Sequence, residues 1–312
     1  MACRLQWLVE QLRSNDTREK QDADSGVQRI TYDTSADQSA IAAVPGALSS
    51  LVALLGSSNS SGVQEAAAGA LRNLAHDPAN QAAIAAVPGA LSSLVALLGS
   101  SNSSGVQEAA AGAVRNLASD TANQAAITAV FGTLSSLVAL LGSSNSSGVQ
   151  EAAAGALRNL AHDTANQAAI AAFPGTLSSL VALLGSGNSS GVQQAAARAL
   201  RKLASDAANK AAIATAPGAL SSLVALLGSG NSSGVQEAAA GALLNLACDT
   251  ANQAAIAAFP GALSSLVALL GSGNSSGVQH AAAGALRNLA CDTANLAAIA
   301  SVPGALSSLV AL

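Results

Sequence analysis

A glycine every 43 residues constrains this chain more than any other feature. The string LSSLVALL recurs along it, and the dipeptide before each copy places Gly at 46, 89, 132, 175, 218, 261 and 304. Six full units therefore run from Gly46 to Pro303. The first reads GALSSLVALLGSSNSSGVQEAAAGALRNLAHDPANQAAIAAVP. A period of this length belongs either to helical solenoids or to four-stranded propeller blades. Composition decides between them. Half of the 312 residues are hydrophobic, yet the chain holds only three Phe, one Tyr and one Trp. Ala and Leu dominate, and a segment so poor in aromatic and β-branched residues is a poor strand former. The length alone suggests two globular domains, but internal repetition overrides that prior.

Each unit divides into three helices. A short first helix covers ANQAAIAA, as in residues 79–86, with Asp77 placed to cap it and Pro78 at its first position. Thr121-x-x-Gln124 and Thr164-x-x-Gln167 have the form of capping boxes in the next units, and Pro88 stops the helix. The second helix covers GALSSLVALL. Leu48, Leu51, Val52 and Leu55 lie at i, i+3, i+4 and i+7, and Gly56 stands as a C-terminal stop. After the linker SSNSS, Ser61-x-x-Gln64 opens a third helix to about Ala75, with a buried stripe of Val63, Ala67, Ala70, Leu71 and Leu74.

These motifs resemble an armadillo repeat. VQEAAAGALRNLA is similar to its third helix, NQAAIAA to its first and PGALSSLVALL to its second, in fixed order six times over. The repeat style is similar to that of plant, protist and fungal vacuolar armadillo scaffolds. The resemblance implies an all-α fold, a right-handed armadillo-type α-solenoid superhelix of three-helix repeats. Its expected organisation is a degenerate N-terminal capping repeat over residues 1–45, six repeats over 46–303, and the truncated start of a further repeat over 304–312. Residues 8–45 carry Leu8, Gln21 and Gln38 in the 43-residue register, together with a run of charge suited to a polar cap. No such cap follows Leu306, Leu309, Val310 and Leu312, so either the sequence is a fragment or its last apolar surface is exposed, with self-association through that end expected.

Composition limits the function classes. The net charge is −4 and the pI about 5.3, which does not describe a basic glove for nucleic acid. Three cysteines (Cys3, Cys248 and Cys291), with no CxxC, do not form a secreted disulfide framework. Arg4 and Glu10 interrupt the N-terminal apolar stretch, and Pro88, Gly89 and two serines break the most apolar stretch, residues 82–98. The expectation is a soluble protein of the cytoplasm or nucleus. No catalytic site, metal site or cofactor is implied, and an enzyme is not expected. His76 and His162 are equivalent positions two repeats apart, about 20 Å at helix spacings of 8–10 Å, and cannot share a metal. GSSNSSG lacks the lysine of a phosphate-binding loop.

The third helix carries the candidate site. In the armadillo family it lines a concave groove, where an Asn near its end bonds the main chain of an extended peptide. The matching residues are Asn73, Asn116, Asn159, Asn245 and Asn288, with Lys202 departing from the pattern in the fourth full repeat. Importin-type grooves have a Trp four residues earlier. Here Gly69, Gly112, Gly155, Arg198, Gly241 and Gly284 stand there, which argues against a receptor for basic localisation signals. Those glycines are either inherited by duplication or allow a ligand backbone to come close. A basic row precedes each Asn: Arg72, Arg115, Arg158, Arg201 and Arg287, with Leu244 in the fifth repeat. A cation in a last helical turn favours the helix dipole by about 0.3–1 kcal/mol, but a row of them also makes a positive stripe. It is densest at Arg198, Arg201 and Lys202. The resulting expectation is a scaffold for an extended acidic or phosphorylated protein segment. Nucleic-acid binding along the same stripe and a self-associating spacer stand as alternatives, the first weakened by the shortage of aromatic stacking platforms.

Overall fold

The computed structural model of the chain describes residues 35–56, 58–142 and 144–311. The expected capping repeat therefore lies, as far as residue 34, outside the described residues, as do Trp7 and Cys3. Among the described residues there are 20 helices and no strand. The described residues form two compact units, divided between Asn166 and Gln167.

In the first unit, the third helices Ser61–Leu74, Ser104–Leu117 and Ser147–Leu160 pack side by side and form its spine. Ala67, Ala70, Leu71 and Leu74 are fully buried there, together with Val63. Alanine at these contacts lets neighbouring helices approach closely, while each Leu contributes about 1.5–3 kcal/mol by leaving water. The second helices Ala47–Leu54, Ala90–Leu97 and Thr133–Leu140 each pack on the third helix that follows. Their buried face includes Leu51 and Leu94, both at 0% exposure. First and second helices meet almost at right angles, at 93° between Pro78–Ala85 and Ala90–Leu97. No single helix among the described residues is long and apolar enough to cross a membrane.

The second unit repeats this arrangement. Ser190–Leu203, Ser233–Leu246 and Ser276–Leu289 pack side by side, and the second helices Ala219–Ala225 and Ala262–Ala268 pack on the latter two.

The helix ends differ from the expected capping in three respects. The glycine that requires a left-handed backbone is the one that sets the 43-residue period: Gly89, at the turn into a second helix, has φ of 82°. A side chain there is strained. Gly56 has no positive φ. Instead the linker Asn59 turns its amide onto the carbonyls of Ala53, Leu54 and Gly56 at 3.1–3.3 Å, so an Asn side chain closes the second helix in place of a left-handed glycine. Finally, the Gln of each proposed capping box does not reach back to a cap residue. Ser60 caps the third helix by accepting from Val63 N, and Gln64 Nε2 donates to Leu55 O and Gly56 O. Likewise Asp120 caps the first helix Thr121–Ala129, and Gln124 donates to Ala118 O of the preceding third helix. Asp77 caps as expected, accepting from Ala79 N at 2.9 Å. Both glutamines are buried, so their amides satisfy carbonyls that helix ends would otherwise leave orphaned out of water.

Candidate functional site

The residues of interest sit in the last turns of the third helices. Arg72 and Asn73, Arg115 and Asn116, and Arg158 and Asn159 belong to the first unit. Arg201 and Lys202, Asn245, and Arg287 and Asn288 belong to the second, with Arg198 one turn earlier on the same helix as Arg201. Arg201 and Arg287 are exposed, whereas Arg72, Arg115, Arg158, Arg198 and Lys202 are half-buried.

The asparagines are less accessible than a solvated helix end implies. Asn73, Asn116 and Asn159 are buried, and Asn245 and Asn288 half-buried. Their amides join repeats. Asn116 Nδ2 donates to Arg72 O at 2.8 Å, Asn159 Nδ2 to Arg115 O at 2.7 Å and, in the second unit, Asn245 Nδ2 to Arg201 O at 2.8 Å. Each bond occupies a carbonyl that the preceding third helix leaves free in its last turn. The second amide hydrogen has a partner as well. Asn116 Nδ2 lies 3.3 Å from His76 Nε2, and Asn159 Nδ2 donates to Ser119 Oγ at 3.1 Å. An amide nitrogen has two hydrogens, so the Asn116 donors are spent within the fold and its Oδ1 is left to accept.

The glycines in place of tryptophan have a structural account. A Cβ at Gly112 would lie 2.5 Å from Arg72 Cδ, and one at Gly155 equally close to Arg115 Cδ. In the second unit a Cβ at Gly241 would meet Arg201 Cδ at 2.8 Å. Each arginine stem thus lies across the glycine of the next third helix, which forms the floor beneath it. Arg158 behaves differently: its Nε and Nη2 donate to Asn159 Oδ1 at 3.1 and 2.9 Å. Arg72, Arg115, Arg201 and Arg287 make no hydrogen bond or ion pair through their guanidiniums among the described residues.

The positive potential is felt by a neighbour. His76 is held below the ordinary imidazole pKa, first by partial withdrawal from water and then by the Arg115 and Arg72 guanidiniums. The carboxylates on this face are less apparent from the sequence. Glu108 and Glu151 join Arg72 and Arg115 around a cavity of about 190 Å³ floored by Gly112, Gly148 and Ala152. The signal that reveals them is the seven-residue step from Glu108 to Arg115, two helical turns along one face. Elsewhere, Cys248 and Cys291 are exposed free thiols. No group of three metal-ligating side chains occurs among the described residues.

The armadillo/β-catenin-like repeat pattern matches residues 35–76, 77–119, 123–162, 206–248 and 260–291. This chain is an armadillo repeat protein. The armadillo assignment agrees with solved structures. An engineered protein is 37% identical, with a TM-score of 0.88 over 99% of this chain and 74% of its own. Armadillo proteins designed for modular peptide recognition are 30% identical, with a TM-score of 0.68 over 77% of this chain and 99% of theirs. A designed armadillo protein in complex with the peptide (KR)4 is 31% identical, with a TM-score of 0.68 over 78% and 99%. Comparison with curated protein sequences finds no match.

Proposed function

We propose that this armadillo chain is a protein-interaction scaffold whose third-helix face binds an extended, acidic or phosphorylated segment of a partner protein. The armadillo repeats and the likeness to designed peptide-binding armadillo proteins support the scaffold role. One observation carries the choice of ligand. Arg72, Arg115, Arg201 and Arg287 recur at one position of the third helix with no internal partner for their guanidiniums. A guanidinium so placed can form a bidentate pair with carboxylate or phosphate. The designed relative holds a basic peptide, which this row of arginines would repel. The peptide main chain would meet Asn116 through Oδ1, since its Nδ2 is already engaged.

The test is fluorescence polarisation with the end-blocked octapeptide (Glu-Ser)4. The helix bearing Arg198, Arg201 and Lys202 holds the densest positive charge, so Arg201→Glu is expected to weaken binding at least about tenfold, or 1.4 kcal/mol. Ala225→Glu adds one negative charge on the exposed side of a second helix and is expected to change little. Added salt is expected to weaken the wild type, because the row is open to solvent. Equal losses from both variants, or equal binding of an all-serine octapeptide, would contradict the reading.

A further inference from the structure

The third-helix face of the first unit holds a second row of charge parallel to the arginines. Glu108 follows Glu65 by 43 residues and Glu151 follows Glu108 by the same step. Both cavity carboxylates, Glu108 and Glu151, face the same space as Arg72 and Arg115. The two rows are held alike. Arg72 lies over Gly112, and Glu65 and Glu108 lie over Gly105 and Gly148, where a Cβ would collide with their carboxylates. The rows are seven residues apart along each helix, roughly 10 Å at 1.5 Å per residue. In cross-section the groove therefore has one acidic edge and one basic edge.

A purely structural role explains part of this. Gly105 and Gly148 are each the second residue of a third helix. A carboxylate above them interacts favourably with the helix N-terminus. That contact locates the carboxylates but provides no hydrogen bond: among the described residues Glu65, Glu108 and Glu151 have neither a hydrogen-bond nor an ion-pair partner. Acidic and basic groups line one cavity without a direct hydrogen bond or ion pair between them.

We infer that this groove selects an extended peptide in which acidic and basic residues alternate, the acidic side chains meeting the arginine row and the basic ones the glutamate row. The inference rests on the groove reading proposed above. An extended chain directs successive side chains to opposite edges, so strict alternation sorts the two charges onto the two rows. A purely acidic peptide satisfies only one edge and places its other carboxylates against Glu108 and Glu151.

Four end-blocked octapeptides separate the possibilities when titrated against the full chain at low salt. They are (Glu-Lys)4, (Glu-Ser)4, the all-serine control and (Glu-Glu-Lys-Lys)2. The last has the composition of the first but puts mixed charges on each edge. Both have like charges four residues apart, which disfavours a helix in the free peptide. The expected result is that (Glu-Lys)4 binds at least about tenfold tighter than either (Glu-Ser)4 or (Glu-Glu-Lys-Lys)2. The double variant Glu108→Gln, Glu151→Gln should reduce its advantage over (Glu-Ser)4 at least threefold, by weakening (Glu-Lys)4 and tightening (Glu-Ser)4. Equal affinity of the two Lys-containing peptides overturns the inference. If (Glu-Ser)4 binds as tightly as (Glu-Lys)4, the inference falls and the acidic-peptide reading stands. If no charged peptide binds better than the all-serine control, both fall.

Discussion

At the residue scale, His76 reports the charge of the third-helix face. Its pKa is depressed, so protonation costs more in the folded protein than in the unfolded chain. The sign follows by linkage: stability is complete above the unfolded imidazole pKa and is lost as pH falls through the lower folded one. An NMR titration is expected to place the His76 midpoint below the ordinary value of about 6.5. Arg115→Ala should raise that midpoint by removing one cause, and an acidic peptide in the groove should raise it as well. A midpoint at or above the ordinary value would show that Arg72 and Arg115 do not act on this ring. The glycines illustrate why some residues are illegible from sequence. Gly112 in a helix interior looks like a cost of roughly 1 kcal/mol relative to Ala. Its reason is Arg72, 40 residues earlier, whose stem crosses it. Periodicity exposes the residue but not what rests on it.

At the element scale, the helices were legible and their ends only in part: Asp77 caps and Pro78 opens the first helix as the sequence implies, but Gly56 and Gln64 do not close and cap helices in the way it implies. The apolar stripe of Ser61–Leu74 follows from i, i+3, i+4, i+7 spacing, and its members are buried as that spacing requires. The capping chemistry went elsewhere because Asn and Gln amides can reach carbonyls five to nine residues away, a range that local motifs such as capping boxes do not describe. Asn102 is an example: its Nδ2 covers Ala96 O and Leu97 O at the end of a second helix. Asn102→Ala is expected to lower unfolding free energy by about 1 kcal/mol, within the usual range for a net hydrogen bond. Denaturant melts read that change. An unchanged midpoint would mean that water satisfies those carbonyls equally well.

At the scale of the whole molecule, the 43-residue period specifies a repeat protein whose units bury their apolar faces against their neighbours, and the Ala- and Leu-rich, aromatic-poor composition makes it helical. The recurrence of the arginines and asparagines in the last turns of the third helices was legible too, with Lys202 and Leu244 as departures. Two properties of the site were not. The asparagines tie one repeat to the next through Arg72 O, Arg115 O and Arg201 O, and the glutamates share the space of the arginines. The asparagine bonds join residues 44 positions apart, and Glu108 joins Arg72 around the cavity from 36 positions away, neighbours only once the helices stack. The net charge of −4 is likewise a poor guide to this face, where the local charge is arranged in rows.

In the proposed function, a partner segment binds at the arginines of the third helices. Arginine Nε–Hε resonances of the isotopically labelled protein test it most directly during titration with (Glu-Ser)4. Saturable shifts are expected for Arg72, Arg115 and Arg201, with little change in backbone signals from the exposed faces of the second helices. Binding that shifts second-helix signals and leaves those guanidiniums unperturbed would contradict it.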